Sequence, residues 1–401
     1  MVLPLLWVLL AGLALTLGWT TGAAAFSWIG YLMLTTWLVG LALARLGERG
    51  LAAERELSLD RMSHGGAVEV QVTVSNRSWL PVLWLVAAES LPAGLPMAGL
   101  RGRVGPLSGG GSFSFRYTLQ GARRGFYELG PILLRTGDIF GLAQRERAAA
   151  GRAQLTVFPK VLPITHARLP SRRPSAEARS RQRVLEDPTQ VVGIRPYQYG
   201  DGLRRVHWRA TAHTGRLQSK LFEVSAQVEN MLVLNLRRAD YPENPVDAQE
   251  AAELAVTAAA SIARHVLDRR QRIGLLALGR DPAGEDEPAL LRLRPSRDRG
   301  QLTGILSVLG RVQLGPSEAL ASVLAREKEN LHWGTLVVLI TPDLAPDSVT
   351  TALGLRSSGF EVCAVLVGRG ARPGSDAAAL TALGFAATSI RSEADIGGLR
   401  I

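Results

Sequence analysis

The sequence predicts a membrane-anchored multidomain protein: a two-helix transmembrane hairpin, then an antiparallel β-sandwich, then an α/β domain. Three observations predict it. No charged side chain occurs before Arg45. Residues 50–160 are short apolar runs broken by Gly, Pro and Asp. From residue 229 onward, strand-like apolar runs alternate with helical patterns. With 401 residues, the chain is long enough for about two to three domains, each with its own core.

The uncharged block is too long for one span. A single helix over residues 1–44 would reach about 66 Å, about twice the hydrocarbon thickness. It must fold back, and "TTGAAA" around Gly22 supplies a small-residue turn. This predicts a hairpin over 1–48, with residues 3–44 in contact with the lipid bilayer. Trp19, Trp28 and Tyr31 suit one membrane interface, and Arg45 and Arg49 follow the second span. The positive-inside rule then puts both ends in the cytoplasm, as a multi-pass protein of the inner membrane. A cleaved signal peptide ending at residues 23–25 is the rival, but it lacks a basic leading segment. On either reading the body is cytoplasmic, which fits a chain whose single cysteine, Cys363, allows no internal disulfide.

Residues 49–160 predict an Ig-like β-sandwich. In "AVEVQVTV" the four valines from Val68 to Val74 alternate with polar residues, as in a strand buried on one face. "SFSFRYTLQ" puts Phe113, Phe115 and Tyr117 on one face, and "TGDIFG" reads as a turn with Asp138 as its acid. Residues 161–190 are basic and rich in Pro, Ser and Arg, which predicts a linker. Its six arginines between 168 and 183 suit contact with anionic lipid.

In 229–401, "ENMLVLNL", "RIGLLALG", "GTLVVLITP" and "FEVCAVLVG" are strands separated by helices such as "DAQEAAELAVTAAASIARHVLDRRQ". Such alternation builds a mostly parallel sheet whose ligands bind at the carboxyl ends of the strands. Cys363 falls in one of these strands as a small buried hydrophobe.

The net charge is +11, carried almost wholly by arginine, with lysine only at positions 160, 220 and 328. A chain this rich in Ala, Gly, Leu and Arg takes that balance from composition, so no specific nucleic-acid partner is expected. The phosphate-loop, HExxH, CxxC and GxSxG motifs are all missing, and no cofactor is expected.

The remaining chemistry is concentrated between the sandwich and the sheet, in residues 191–228, whose positions 193–223 read "GIRPYQYGDGLRRVHWRATAHTGRLQSKLFE". Its notable residues are Arg195, Tyr197, Gly200, Asp201, Arg204, His207, Trp208, Arg209 and His213. The favoured reading is a structural joint. Asp201 caps a short helix with Leu203, Val206, His207 and Ala210 on one face, Trp208 is a packing anchor, and the tyrosines fix the turn. Gly215 stops the helix, and "RLQSKLFEV" runs as a strand into the α/β domain. One alternative is a hydrolase using the 197–216 cluster, with Asp201 and His207 or His213 as acid and base. Another is a basic module for anionic lipid or nucleic acid, built on Arg204, Arg205, Arg209 and Arg216.

Residues 229–401 resemble a von Willebrand factor A-like (Rossmann-like) domain. Metal-binding members end the first strand with D-x-S-x-S, and the matching positions here are Asn235, Arg237 and Ala239, with Asp343 as a later acid. An amide, a cation and a methyl group replace oxygen ligands, so the expected metal site is degenerate. The G-D-x-x-R-x-x-H-W core at 200–208, after "RRGFYELGP" and "TGDIFGL", resembles the bacterial domain-of-unknown-function family fifty-eight across most of the chain. The departures are His213, where arginine is more usual, and Asn235, where aspartate is. The resemblance implies a membrane-tethered interaction or scaffold protein without known catalytic activity, working with a MoxR-type AAA+ ATPase in the assembly or maturation of other proteins.

Overall fold

The computed structural model describes residues 2–138, 140–165, 186–199, 201–224, 229–284, 289–368 and 375–399. The expected lipid-contacting arginines at 168–183 and the signature Gly200 lie outside the described residues. The chain divides into two compact units, Met1–Lys160 and Val161–Ile401.

The first unit opens with α1 (Val2–Thr21) and α2 (Ala24–Gly50), joined at Gly22, whose φ of 65° is costly for a residue with a Cβ. Both are long and apolar enough to cross a membrane, and only 11% of either apolar window is buried. The helices pack through small residues: Ala11 is buried, and a Cβ on Gly30 would fall 3.0 Å from the Ala11 carbonyl oxygen. The Trp7 indole donates to the Met33 carbonyl at 2.9 Å.

The strands of this unit are β1 (Leu51–Leu57), β2 (Arg61–Met62), β3 (Ala67–Asn76), β4 (Val82–Glu89), β5 (Met97–Gly99), β6 (Gly102–Leu107), β7 (Ser112–Gln120), β8 (Gly125–Leu129), β9 (Ile132–Gly137), β10 (Gln144–Ala150) and β11 (Ala153–Val157). Two four-stranded antiparallel sheets form, β1-β3-β7-β5 and β10-β9-β4-β6, with a third sheet of order β2-β11-β8. One core fills the space between them: Val68, Val70, Val72 and Val74 from β3 meet Leu85 and Ala87 from β4 and Ile132 and Leu134 from β9. The alternation in β3 is therefore the alternation of a strand with one face buried. Within this apolar interior Arg55 pairs with Glu89, and the Arg55 guanidinium also donates to the carbonyls of Leu129 and Gly151.

The second unit runs β12 (Glu186–Pro196), α3 (Trp208–Thr214), β13 (Gln218–Val224), β14 (Glu229–Asn235), α4 (Pro245–Asp268), β15 (Arg272–Gly279), β16 (Ala289–Ser296), α5 (Gln301–Arg311), α6 (Leu320–Glu327), β17 (Leu336–Thr341), α7 (Pro346–Ser357), β18 (Glu361–Val367), α8 (Ser375–Ala382), β19 (Ala386–Ile390) and α9 (Glu393–Ile396). The six-stranded sheet has the order β16-β15-β14-β17-β18-β19. Only β16 runs antiparallel. Every residue of β14 and β17 is buried, which is why their centres, residues 231–234 and 336–340, are continuous apolar runs. Cys363 is buried in β18, and burial pushes its thiol pKa up to about 12.

One expectation needs correction here. The predicted linker begins too early and ends too late: the Leu162 and Thr165 amides bond to Ser261 and Gly397, and β12 starts at Glu186. The predicted strand after Gly215 is β13, which pairs with β12 in a two-stranded sheet ahead of the large one.

Candidate functional site

The signature segment is folded by its own polar groups. Pairing of β12 with β13 sets Arg195 opposite Ser219 and Pro196 opposite Gln218, and the Tyr197 amide extends the ladder to the Leu217 carbonyl at 2.9 Å. The chain then turns. Asp201 Oδ2 accepts from the Gln198 amide at 3.1 Å, and Oδ1 accepts from Arg195 Nη2 at 2.7 Å. The Tyr197 hydroxyl donates to the Asp201 carbonyl at 2.9 Å. The Gln198 N–H, then the Arg195 guanidinium, hold the Asp201 carboxyl below the usual aspartate pKa.

A single 3-10 turn over Leu203–Arg205 follows. Val206 is buried and bridges to Ser219, and the His207 amide donates to the Gln218 carbonyl at 2.8 Å. His207 Nδ1 accepts from the Ala210 amide at 3.1 Å, which makes it the N-cap of α3. Gly215, at φ 66°, ends the helix in the left-handed conformation. The Thr211 hydroxyl accepts from the Gln218 amide at 3.0 Å and ties helix to strand.

This geometry corrects the joint as the sequence predicts it. Asp201 closes the turn before it, and His207 caps the helix. The sequence pattern places His207 on the helix face, and its role as the cap emerges only from the structure. The predicted apolar face breaks at Val206, since Leu203 is 72% exposed. Trp208 is not a packing anchor; it is 65% exposed. Tyr197 fixes the turn, whereas Tyr199 is fully exposed. Arg204, Arg209 and His213 are exposed, and His207, Arg209 and His213 line one open groove with Ala210 and Ala212. Both carboxylate oxygens of Asp201 are engaged by Arg195 and Gln198, which is a structural use of the acid.

The second candidate is the carboxyl edge of the sheet, where β14 and β17 diverge. Numbered within this sheet, the strand order is 3-2-1-4-5-6, and the ligand crevice of such a sheet lies at that point. Asn235 ends β14 there. Its amide donates to Asp240 Oδ2 at 2.8 Å and Thr341 Oγ1 at 3.1 Å, and its Oδ1 accepts from the Arg237 amide at 3.1 Å. Arg237 Nη1 bonds to Asp240 Oδ1 at 2.9 Å, and its Nε donates to the Ser317 carbonyl. The Tyr241 hydroxyl donates to the Asn235 carbonyl at 2.8 Å. Ala239 lies exposed in the intervening 3-10 turn. Asp343 is also exposed: its carboxylate accepts from the Leu344 amide, while its carbonyl accepts from Thr341 Oγ1. Sequence reasoning missed Asp240, Tyr241 and Thr341. Asp240 is three residues from Arg237, a spacing that one helical turn brings together, and that was the available signal. Among the described residues, no three His, Cys, Asp or Glu side chains gather as metal ligands would.

The strand order defines the second unit as a doubly wound α/β domain. Residues 193–367 match the family model described as "Protein of unknown function DUF58". The uncharacterized protein YeaD of Bacillus subtilis (strain 168) is 23% identical over 238 residues, which are 58% of this chain and 57% of that protein. The chain is thus matched to little more than half the length of this relative. The two matches support a member of the DUF58 family. The family match holds the signature and most of the α/β unit, a narrower span than the sequence resemblance implies. Among solved structures, the CARDB domain of a Pyrococcus furiosus protein is 12% identical, covering 27% of this chain and 94% of that one at a TM-score of 0.21. The GAE domain of GGA2p from Saccharomyces cerevisiae is 17% identical, covering 27% and 88% at 0.21. Proximal thread matrix protein 1 from the mussel byssus is 12% identical, covering 43% and 46% at 0.31. Scores this low carry no argument about fold or function.

Proposed function

We propose that this protein is a membrane-tethered, non-enzymatic interaction protein whose working surface is the signature segment. The observation that carries the proposal is that Trp208 leaves 65% of its surface exposed on a segment held together by other groups. Tyr199 and Leu203 are exposed in the same segment, beside Arg204 and Arg209. Trp, Tyr and Arg are the residues that most often dominate binding energy, and rigid presentation lowers the entropy lost on docking. The arginines call for an acidic partner surface.

Two helices that are apolar all round and little buried suit the bilayer as their solvent. On this reading α1 and α2 are membrane spans, and Arg45 and Arg49 hold both ends on the cytoplasmic side of the inner membrane. The family resemblance supplies a MoxR-type AAA+ ATPase as the proposed partner. The strand order with one antiparallel member is consistent with a von Willebrand factor A-like domain. The residues at the corresponding metal position do not fit a divalent cation. The Asn235 amide points its donors at Asp240 and Thr341, and the Arg237 guanidinium already neutralises Asp240.

The test is the affinity of the AAA+ ATPase for the full chain in lipid nanodiscs. Trp208→Ala should weaken it by about 2 kcal/mol, roughly thirtyfold. Unchanged affinity for both Trp208→Ala and Tyr199→Ala would refute the surface.

A further inference from the structure

The turn between β9 and β10 lies against the apolar helices. The Phe140 ring stacks on Trp7, with centroids 6.4 Å apart and planes 24° from parallel. Phe140, with Leu83 of β4, lines a cleft of about 300 Å³ whose other wall is Thr36, Val39 and Leu43 of α2. Phe140 is 59% exposed and Leu83 45%, so the two continue the exposed apolar surface of the helices onto the sandwich. Height matters here. The helix rises about 1.5 Å per residue, so Trp7, five residues beyond Val2, lies about 7 Å inside the open end of the hairpin. A ring stacked on Trp7 therefore lies below the level at which α1 begins. That depth matches the 5–10 Å to which interfacial apolar faces enter a bilayer.

A bilayer requires that backbone polar groups find partners within the protein, and the amides of Asp138, Phe140, Gly141 and Ala143 do so. Asp138 does most of this. Its carboxylate accepts from the Ala143 amide at 2.6 Å and the Phe140 amide at 3.2 Å, and its carbonyl accepts from the Trp84 indole at 2.8 Å and the Gly141 amide at 3.3 Å. The Asp138 amide donates to the Ala143 carbonyl at 3.0 Å. Asp138 itself is buried. The Asp138 carboxylate is turned inward and the Phe140 ring outward, the reverse of a turn built for water.

We propose that this turn is a third membrane contact: an interfacial wedge, led by Phe140 and flanked by Leu83, seated among lipid acyl chains beside the hairpin. The inference rests on the reading of α1 and α2 as membrane spans. The wedge would fix the height and tilt of the sandwich on the membrane, which two spans alone leave free to swing.

The test uses the full chain, with Cys363→Ala, in vesicles of phosphatidylcholine and phosphatidylglycerol. A bimane fluorophore is attached at Phe140→Cys, and in separate preparations at Leu83→Cys, Leu32→Cys and His64→Cys. Leu32 reports on the spans. His64 lies past the far end of β1, which carries the chain about 23 Å from the end of α2. Lipids bearing a nitroxide near the headgroup should quench positions 140 and 83 in proportion to their content. Position 32 should be quenched most by a nitroxide deep in the acyl chain, and position 64 by neither. Quenching at 32 without quenching at 140 or 83 overturns the wedge and leaves the spans standing. No quenching at 32 or 140 overturns both.

Discussion

The carboxyl edge of the α/β sheet and the signature segment are the two places where this chain gathers polar chemistry, and they use it in opposite ways. At the sheet edge, Asn235, Arg237, Asp240 and Thr341 bond to one another, and the position that would offer a ligand its charge is closed by an internal guanidinium. In the signature segment, Asp201, Tyr197 and His207 are likewise spent on the backbone, but the effect is to hold Tyr199, Leu203 and Trp208 out in solvent. Satisfied polar groups therefore mean closure in one region and presentation in the other. The exposed apolar side chains distinguish the two, because Tyr199, Leu203 and Trp208 are gathered in one short segment.

The comparison is broken first, and with the largest expected effect, at the sheet edge. Asp240→Ala leaves the Arg237 guanidinium without its partner. It should cost about 2 kcal/mol in unfolding of the α/β unit, less than a fully buried pair because both side chains are partly exposed. Partner affinity should stay at the parent value. In the signature segment, His207→Ala removes the cap of α3 and Gly215→Ala forces a Cβ into a left-handed residue. Each should cost about 1 kcal/mol by urea unfolding of the full chain.

Asp201→Asn should have a smaller effect, with a pH signature. The folded pKa is lowered, so the stabilisation is fully present above the ordinary aspartate value of about 3.9 and is lost as pH falls through the lowered one. The difference in stability between parent and variant should be flat from neutral pH to about pH 4 and should shrink below that. The smallest change in stability belongs to Trp208→Ala, within about 0.5 kcal/mol of the parent, since its side chain leaves no cavity. Millimolar magnesium should leave the melting temperature of the parent unmoved. A clear, concentration-dependent rise would mean that the sheet edge is an open site after all.

Much of this was legible in the sequence, and the rest was hidden for physical reasons. Periodicity is set by burial, so the valines of β3 and the continuous runs of β14 and β17 identified their strands directly. Gly215 was legible as a helix stop because its conformation excludes most other residues. Periodicity says nothing about which strand pairs with which, so the pairing of β13 with β12 was not legible. Trp208 was misjudged because tryptophan is usually well buried, and only tertiary contacts decide the exceptions. Thr341 went unnoticed because its partner Asn235 is 106 positions away and meets it only where the strand ends come together.

The central claim is that the partner meets the signature segment and not the sheet edge. It is tested most directly by placing a photo-crosslinking amino acid at Trp208, and in a second strain at Ala239, in the full chain in its own membrane. Both positions are exposed, so neither substitution needs a cavity. The account predicts a discrete crosslinked species from position 208, lost when Tyr199→Ala is added, and none from position 239. A species from position 239 with none from position 208 would contradict it.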